Sequence, residues 1–161
     1  MADTIFIDFG TLIPGSALNA NFTGKVALNS FSFGGNKEMT DEVSSTKRTT
    51  GKTVLGDVTC TKQMDVATAI MFEYMLFAKE LPTVTLTYGD NTGDKGAWKN
   101  TVVYKMEKVY IKAIATSGSG SLPTDTFTLN YVKMTCTYVQ QKSDGTVGGQ
   151  SAFDWDKSTN T

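Results

Sequence analysis

A mainly β fold, a barrel or sandwich with one helix, follows from three observations. Runs rich in Thr, Val, Ile, Tyr and Phe alternate with turn signals along the whole chain. Only Val66 to Lys79 carries apolar residues at helical spacing. No segment approaches the roughly 20 apolar residues of a membrane helix.

The elements follow in order. Thr4 to Phe9 alternates, with Ile5, Ile7 and Phe9 on one side. Gly24 to Gly34 is a longer strand whose pattern is imperfect: Phe31 and Phe33 share a face with Asn29, and Leu28 shares one with Ser30 and Ser32. Gly35 to Lys52 is polar and charged, with Met39 and Val43 as its main apolar residues, and reads as a long loop or a protruding hairpin tip. So long a polar insertion in a compact domain is uncommon and often functional. Thr53 to Lys62 is a strand with Gly56 as a bulge or close-approach site.

In the helix, Ala67, Ile70, Met71, Tyr74, Met75 and Ala78 form the apolar stripe. Asp65 is its expected N-cap and Pro82 its expected stop. Thr83 to Tyr88 is a strand, and Asp90 to Gly96 a turn. Trp98 to Thr116 is one long strand or a bent pair; apolar residues on both parities imply two covered faces or a bulge that switches them. SGSGSL, Ser117 to Leu122, is a loop. Phe127 to Val139 is a long strand, followed by a Ser143 to Gly145 turn and a short strand, Ala152 to Asp156.

The chain has 161 residues, the size of one domain spanning 1–161. Fifteen Lys and Arg against 16 Asp and Glu give a net charge of −1, which supplies no electrostatic reason to bind nucleic acid. There is no histidine, so the commonest general base and metal ligand is missing. No serine or cysteine therefore has a histidine to activate it. Cys60 and Cys136 lie in strand-like runs and read as two buried thiols. Thr50-Gly51-Lys52-Thr53 resembles the end of a phosphate-binding loop, but position 46 is Thr where that motif needs Gly, and a strand follows instead of a helix. Asp154 and Asp156 share a face of the last strand and read as a charged sheet edge. Nine Phe, six Tyr and two Trp read as core and interface mass, not as a sugar-stacking platform. No catalytic, cofactor or metal constellation emerges, and the expectation is a non-enzyme. The N-terminus lacks a basic start, and Asp3 and Asp8 interrupt its apolar run, so it does not read as a secretory signal. The expectation is a chain made soluble in the cytoplasm.

Several blocks, in order, are similar to the Hcp family (haemolysin-coregulated protein), the inner-tube subunit of type VI secretion systems. Asn29 to Gly34 (NSFSFG) resembles the family's aromatic-Ser-aromatic-Gly strand end, with Phe31 and Phe33 where tryptophans are common. Asp57, Thr61, Lys62 and Asp65 match its D-x-x-x-T-K-x-x-D segment, which joins a strand to the helix. The SGSGS loop matches a Gly/Ser-rich loop in that place. The last block runs from Phe127 to Trp155: a TLN strand, a tyrosine, a Gln-x-x-Asp-Gly turn, a Gly-rich link and a closing aromatic strand.

The resemblance implies a small antiparallel β-barrel of two packed sheets, with one flanking helix and a long protruding loop. It implies homohexameric rings that stack into a tube, expelled by a contractile sheath behind the tip spike protein VgrG, with effector cargo in the lumen. Secretion to the extracellular space or a target cell would then proceed without a cleaved signal. Ser30 and Ser32 become lumen-facing candidates. Lys37, Glu38, Asp41, Glu42, Lys47 and Arg48 become candidates for contact with the next ring, and Asp57, Lys62 and Asp65 form the strand-to-helix corner. Cofactors and metals are not expected. The alternatives are a tail-tube protein of a related contractile phage-like system and a β-barrel module for small ligands or carbohydrate.

Overall fold

A computed structural model describes residues 5–19, 21–39, 50–90, 98–141, 147–159 and 161. The described strands are β1 (Ile5–Asp8), β2 (Val26–Leu28), β3 (Ser30–Ser32), β4 (Gly35–Met39), β5 (Thr50–Leu55), β6 (Val58–Gln63), β7 (Leu81–Asp90), β8 (Lys99–Ser117), β9 (Thr124–Asn130), β10 (Lys133–Gln141) and β11 (Val147–Asp156), with one helix, α1 (Ala67–Leu76). All pairings are antiparallel. The main ladder runs β2-β1-β7-β8-β9-β6-β3, with β10 and β11 added beside β8. Its ends, β2 and β3, follow each other in the chain with Asn29 alone between them but do not pair with each other, so the ladder is not closed by hydrogen bonds. Two sheets result: β2-β1-β7-β8-β10-β11 and β8-β9-β6-β3, sharing β8.

The irregular alternation in the sequence has one cause. Each phase change marks a strand passing from one sheet to the other. Val26 and Leu28 are buried beside β1; after Asn29 the inward residues are Phe31 and Phe33, packed beside β6. The 53–62 run is two strands, broken at Gly56, that pair with different neighbours. The expected long strand from Phe127 is also two, β9 and β10, with Tyr131 and Val132 at the corner. In β8 the buried residues step from Met106 to Val109 and from Ile111 to Ile114, across Lys108 (φ +53°) and a register shift between Ile111 and Ala113. The bulged alternative for this strand is the one observed.

The core between the sheets holds Ile7, Val84, Leu86, Met106, Phe127, Leu129 and Met134, all essentially inaccessible, with Ala67 and Met71 of α1 closing one side. Phe6, on the opposite face of β1, is covered too, stacked on Phe22 at 4.5 Å and edge-on to Trp98 at 5.5 Å. Both cysteines are buried and free; desolvation pushes the Cys60 thiol up to about 12.

The helix stops earlier than its sequence suggests, and not because of Pro82, which lies inside β7. Ala78 adopts φ +50°, the Lys79 amide donates to Tyr74 O at 3.0 Å, and the Ala78 amide donates to Met75 O at 3.4 Å. This is a Schellman termination carried by a residue with a β-carbon, which disfavours that conformation by roughly 1–2 kcal/mol. Ala78→Gly is expected to stabilise the chain by about 0.5–1 kcal/mol, raising the thermal midpoint by a few degrees. A lower midpoint for that variant in calorimetry would contradict this account of the helix end.

Candidate functional site

The outward face of β3-β6-β9-β8 is built from small residues. Register places Ser30 opposite Thr61, Thr61 opposite Thr126, and Thr126 opposite Ala115. The next row is Ser32, Thr59, Thr128 and Ala113. The side chains between these rows point inward: Phe31, Cys60, Phe127 and Ile114. Ser30, Ser32, Thr126, Ala113 and Ala115 are exposed, and the other threonines half-buried. The result is a shallow, hydroxyl-rich surface without a charge in either row. Sequence reading singled out only the two serines. The strict Thr alternation in VTCTK and TFTLN carried the same signal for Thr59, Thr61, Thr126 and Thr128.

Beneath that sheet lies a buried polar hub. Lys62 and Asp125 are cross-strand partners on the inward face of β6 and β9, and both are inaccessible to solvent. Lys62 Nζ donates to Asp125 Oδ2 at 2.7 Å, Asp65 Oδ1 at 2.9 Å and Thr68 Oγ1 at 2.9 Å. Asp125 also accepts from Thr68 Oγ1 at 2.6 Å and Thr116 Oγ1 at 2.7 Å. Burial alone would raise the Asp125 pKa. The hydrogen bonds from Lys62, Thr68 and Thr116, together with the Lys62 charge, outweigh it and hold the carboxyl below its usual range. Asp65 Oδ1 also accepts the Ala67 amide at 3.0 Å, an N-capping contact just ahead of α1. The hub therefore ties β6, β9, β8 and α1 together. Asp125 and Thr68 were not apparent in the sequence, because their partners are distant along the chain.

Asp57 stands at the other end of β6 and does not touch Lys62. It accepts from Lys112 Nζ at 3.0 Å and Asn130 Nδ2 at 2.8 Å. Burial opposes its ionised form, but those bonds and the Lys112 and Lys157 charges leave its pKa lowered. This cluster sits at the root of the β4–β5 hairpin, a two-stranded sheet separate from the main ladder. At that root the Gly56 amide donates to Gly34 O at 2.7 Å, and the Tyr131 hydroxyl donates to Gly56 O at 2.7 Å. A β-carbon at Gly56 would lie 2.6 Å from Gly34 O, so this close approach requires glycine. Lys37 and Glu38 are exposed on β4. Asp41, Glu42, Lys47 and Arg48 lie outside the described residues.

Among the described residues no three His, Cys, Asp or Glu side chains gather to hold a metal ion. An open groove of about 470 Å³ near Phe6, Leu18, Met64 and Leu122 has a mixed lining that also includes Ser16, Asn19, Asn29 and Asp65.

Residues 6–138 match the family described as "Type VI secretion system effector, Hcp". No curated protein matches the chain. A solved type six secretion system protein is similar at 26% identity with a TM-score of 0.89, covering 99% of each chain. Two others agree in fold: Hcp1 from Salmonella typhimurium (18% identity, TM-score 0.77, 99% of this chain and 98% of that one), and a type VI secretion system effector from Yersinia pestis (20%, 0.72, 94% and 98%). The family match spans most of the chain, and the similarity in fold to a solved type six secretion system protein covers 99% of each chain; the chain belongs to the Hcp family of type VI secretion proteins.

Proposed function

We propose that the chain is the structural subunit of a type VI secretion inner tube. In this reading the whole chain is one tube domain. Copies close into hexameric rings, the rings stack, and a contractile sheath expels the tube behind the VgrG spike. The chain is made in the cytoplasm, leaves the cell with the tube and carries no catalytic activity.

The observation that carries the reading is the hydroxyl-rich face of β3-β6-β9-β8. A four-stranded sheet with apolar residues on one side and an uncharged row of Ser, Thr and Ala on the other suits the wall of a hydrated channel. Small side chains leave room for effectors, and hydroxyls keep the wall wet. The β4–β5 hairpin points the same way. A two-stranded hairpin is marginal by itself, and every described residue of β4 is exposed, so it calls for a neighbour. Closed rings need heterologous contacts, in which two different surfaces of each copy meet.

Light scattering at micromolar concentration tests the reading: the expected mass is that of a closed ring, and a monomer would oppose it. The lumen assignment has its own test. Ser32→Cys, labelled with a bulky maleimide, is expected to leave rings intact and abolish cargo retention. Unchanged retention with complete labelling would place Ser32 on an outer surface instead.

A further inference from the structure

We propose that the C-terminal end of α1 in one copy seats in the cleft between β5 and β11 of the adjacent copy. The inference rests on the tube reading above and names one of its side-to-side contacts. Leu76 and Phe77 project from the end of α1 with 68% and 71% of their surface exposed, unusual for two adjacent large apolar residues. Three residues on, Glu80 is exposed and forms no salt bridge among the described residues. The negative end of the helix dipole adds to its charge. This end of the molecule is an apolar knob with an acidic rim.

The cleft has the opposite character. It encloses about 290 Å³, room for one aromatic side chain, and is lined by Val54, Leu55 and Trp155 with Lys52 and Lys157 at its edge. Val54 is 44% exposed and the Lys52 side chain is open to solvent. Lys157 lies with its Nζ 4.0 Å from the centre of the Tyr131 ring, and burial, opposed by the pull of Asp57 and joined by repulsion from Lys112, leaves its pKa lowered. Phe77 against Trp155 and Val54, with Glu80 against Lys52, matches shape and charge together.

Topology keeps the two surfaces apart on one chain. α1 leads directly into β7, and the register from Val84 through Met106 and Met134 to Trp155 carries the sheet across β8 and β10 to β11. Three strand spacings, about 14 Å, separate the β7 side from the β11 side. A knob on one flank and a socket on the other make a heterologous pair, so each copy offers both halves, as a ring requires.

The test is a full-length chain carrying Phe77→Cys and Val54→Cys. Cys60 and Cys136 are buried, which keeps the native thiols out of the reaction. Mild oxidation is expected to give an intermolecular ladder on a non-reducing gel. Adding Lys52→Glu or Glu80→Lys singly should lower the cross-linking rate about tenfold at low salt, and adding both should restore it. Rings by light scattering with no ladder, or a ladder indifferent to the single charge reversals, would overturn this contact and leave the tube reading standing. A parent chain that scatters as a monomer would overturn the tube reading and the contact with it.

Discussion

Replacing Lys62 with alanine is expected to cost about 3–5 kcal/mol of folding stability, because it strands the Asp125 carboxylate in the interior. At this chain length that loss lowers the thermal midpoint by roughly 6–20 °C. Thr68 and Thr116 would still donate to Asp125, but no opposite charge would remain. Replacing both partners, as in Lys62→Met with Asp125→Leu, should recover much of the loss, because a buried ion pair contributes little over an apolar pair of similar size. The two threonine hydroxyls would then lack their acceptor, so recovery stays incomplete. The pH dependence has a definite sign. The folded Asp125 pKa is depressed, so its contribution is present above the unfolded value, about 3.9, and is lost as pH falls through the folded value. The stability gap between the parent and Lys62→Met should therefore narrow in acid. A loss below about 1 kcal/mol for Lys62→Ala, the range of exposed pairs, would show that the hub does not lock α1 to the sheet.

Deleting residues 38 to 48 is expected to leave single rings intact and abolish tube formation and secretion. The root of the hairpin does not depend on those residues. Gly56, Tyr131, Asp57, Lys112 and Asn130 hold it to the body. What the deletion removes is a charged arm bearing Glu38, Asp41, Glu42, Lys47 and Arg48. Each exposed ion pair to a neighbouring ring contributes only ~0–1 kcal/mol, but a ring presents several copies of each together. Normal tubes from the deletion variant, seen by electron microscopy, would refute this role for the arm. Failure to form even single rings would assign the arm to contacts within the ring.

Much of the fold was legible in the sequence because alternation reports which face of a strand is covered. Val84 and Leu86 in β7, and Cys60 with Val58 in β6, point inward as their spacing requires. What alternation alone did not locate was the strand ends. Asn29, Gly56 and the Tyr131–Val132 corner lie within runs that read as continuous strands, and only partners far along the chain decide that they turn there. The helix end shows the same limit: Ala78 takes a left-handed conformation that its residue type disfavours, so Pro82 looked like the stronger stop.

Site residues divide along the same line. Ser30 and Ser32 were visible because two large aromatics alternate with them, and Lys62 with Asp65 because both belong to the block that resembles the Hcp strand-to-helix segment. Asp125 became part of the hub only through β6–β9 pairing. Asp57 fell within the same sequence block as Lys62, yet the length of β6 separates them and gives Asp57 to the hairpin root.

Electron microscopy of the purified chain tests the tube assignment most directly. Rings with an open central channel, stacking end to end into tubes at high concentration, are the expected result. Monodisperse single subunits, or closed particles without a channel, would contradict it.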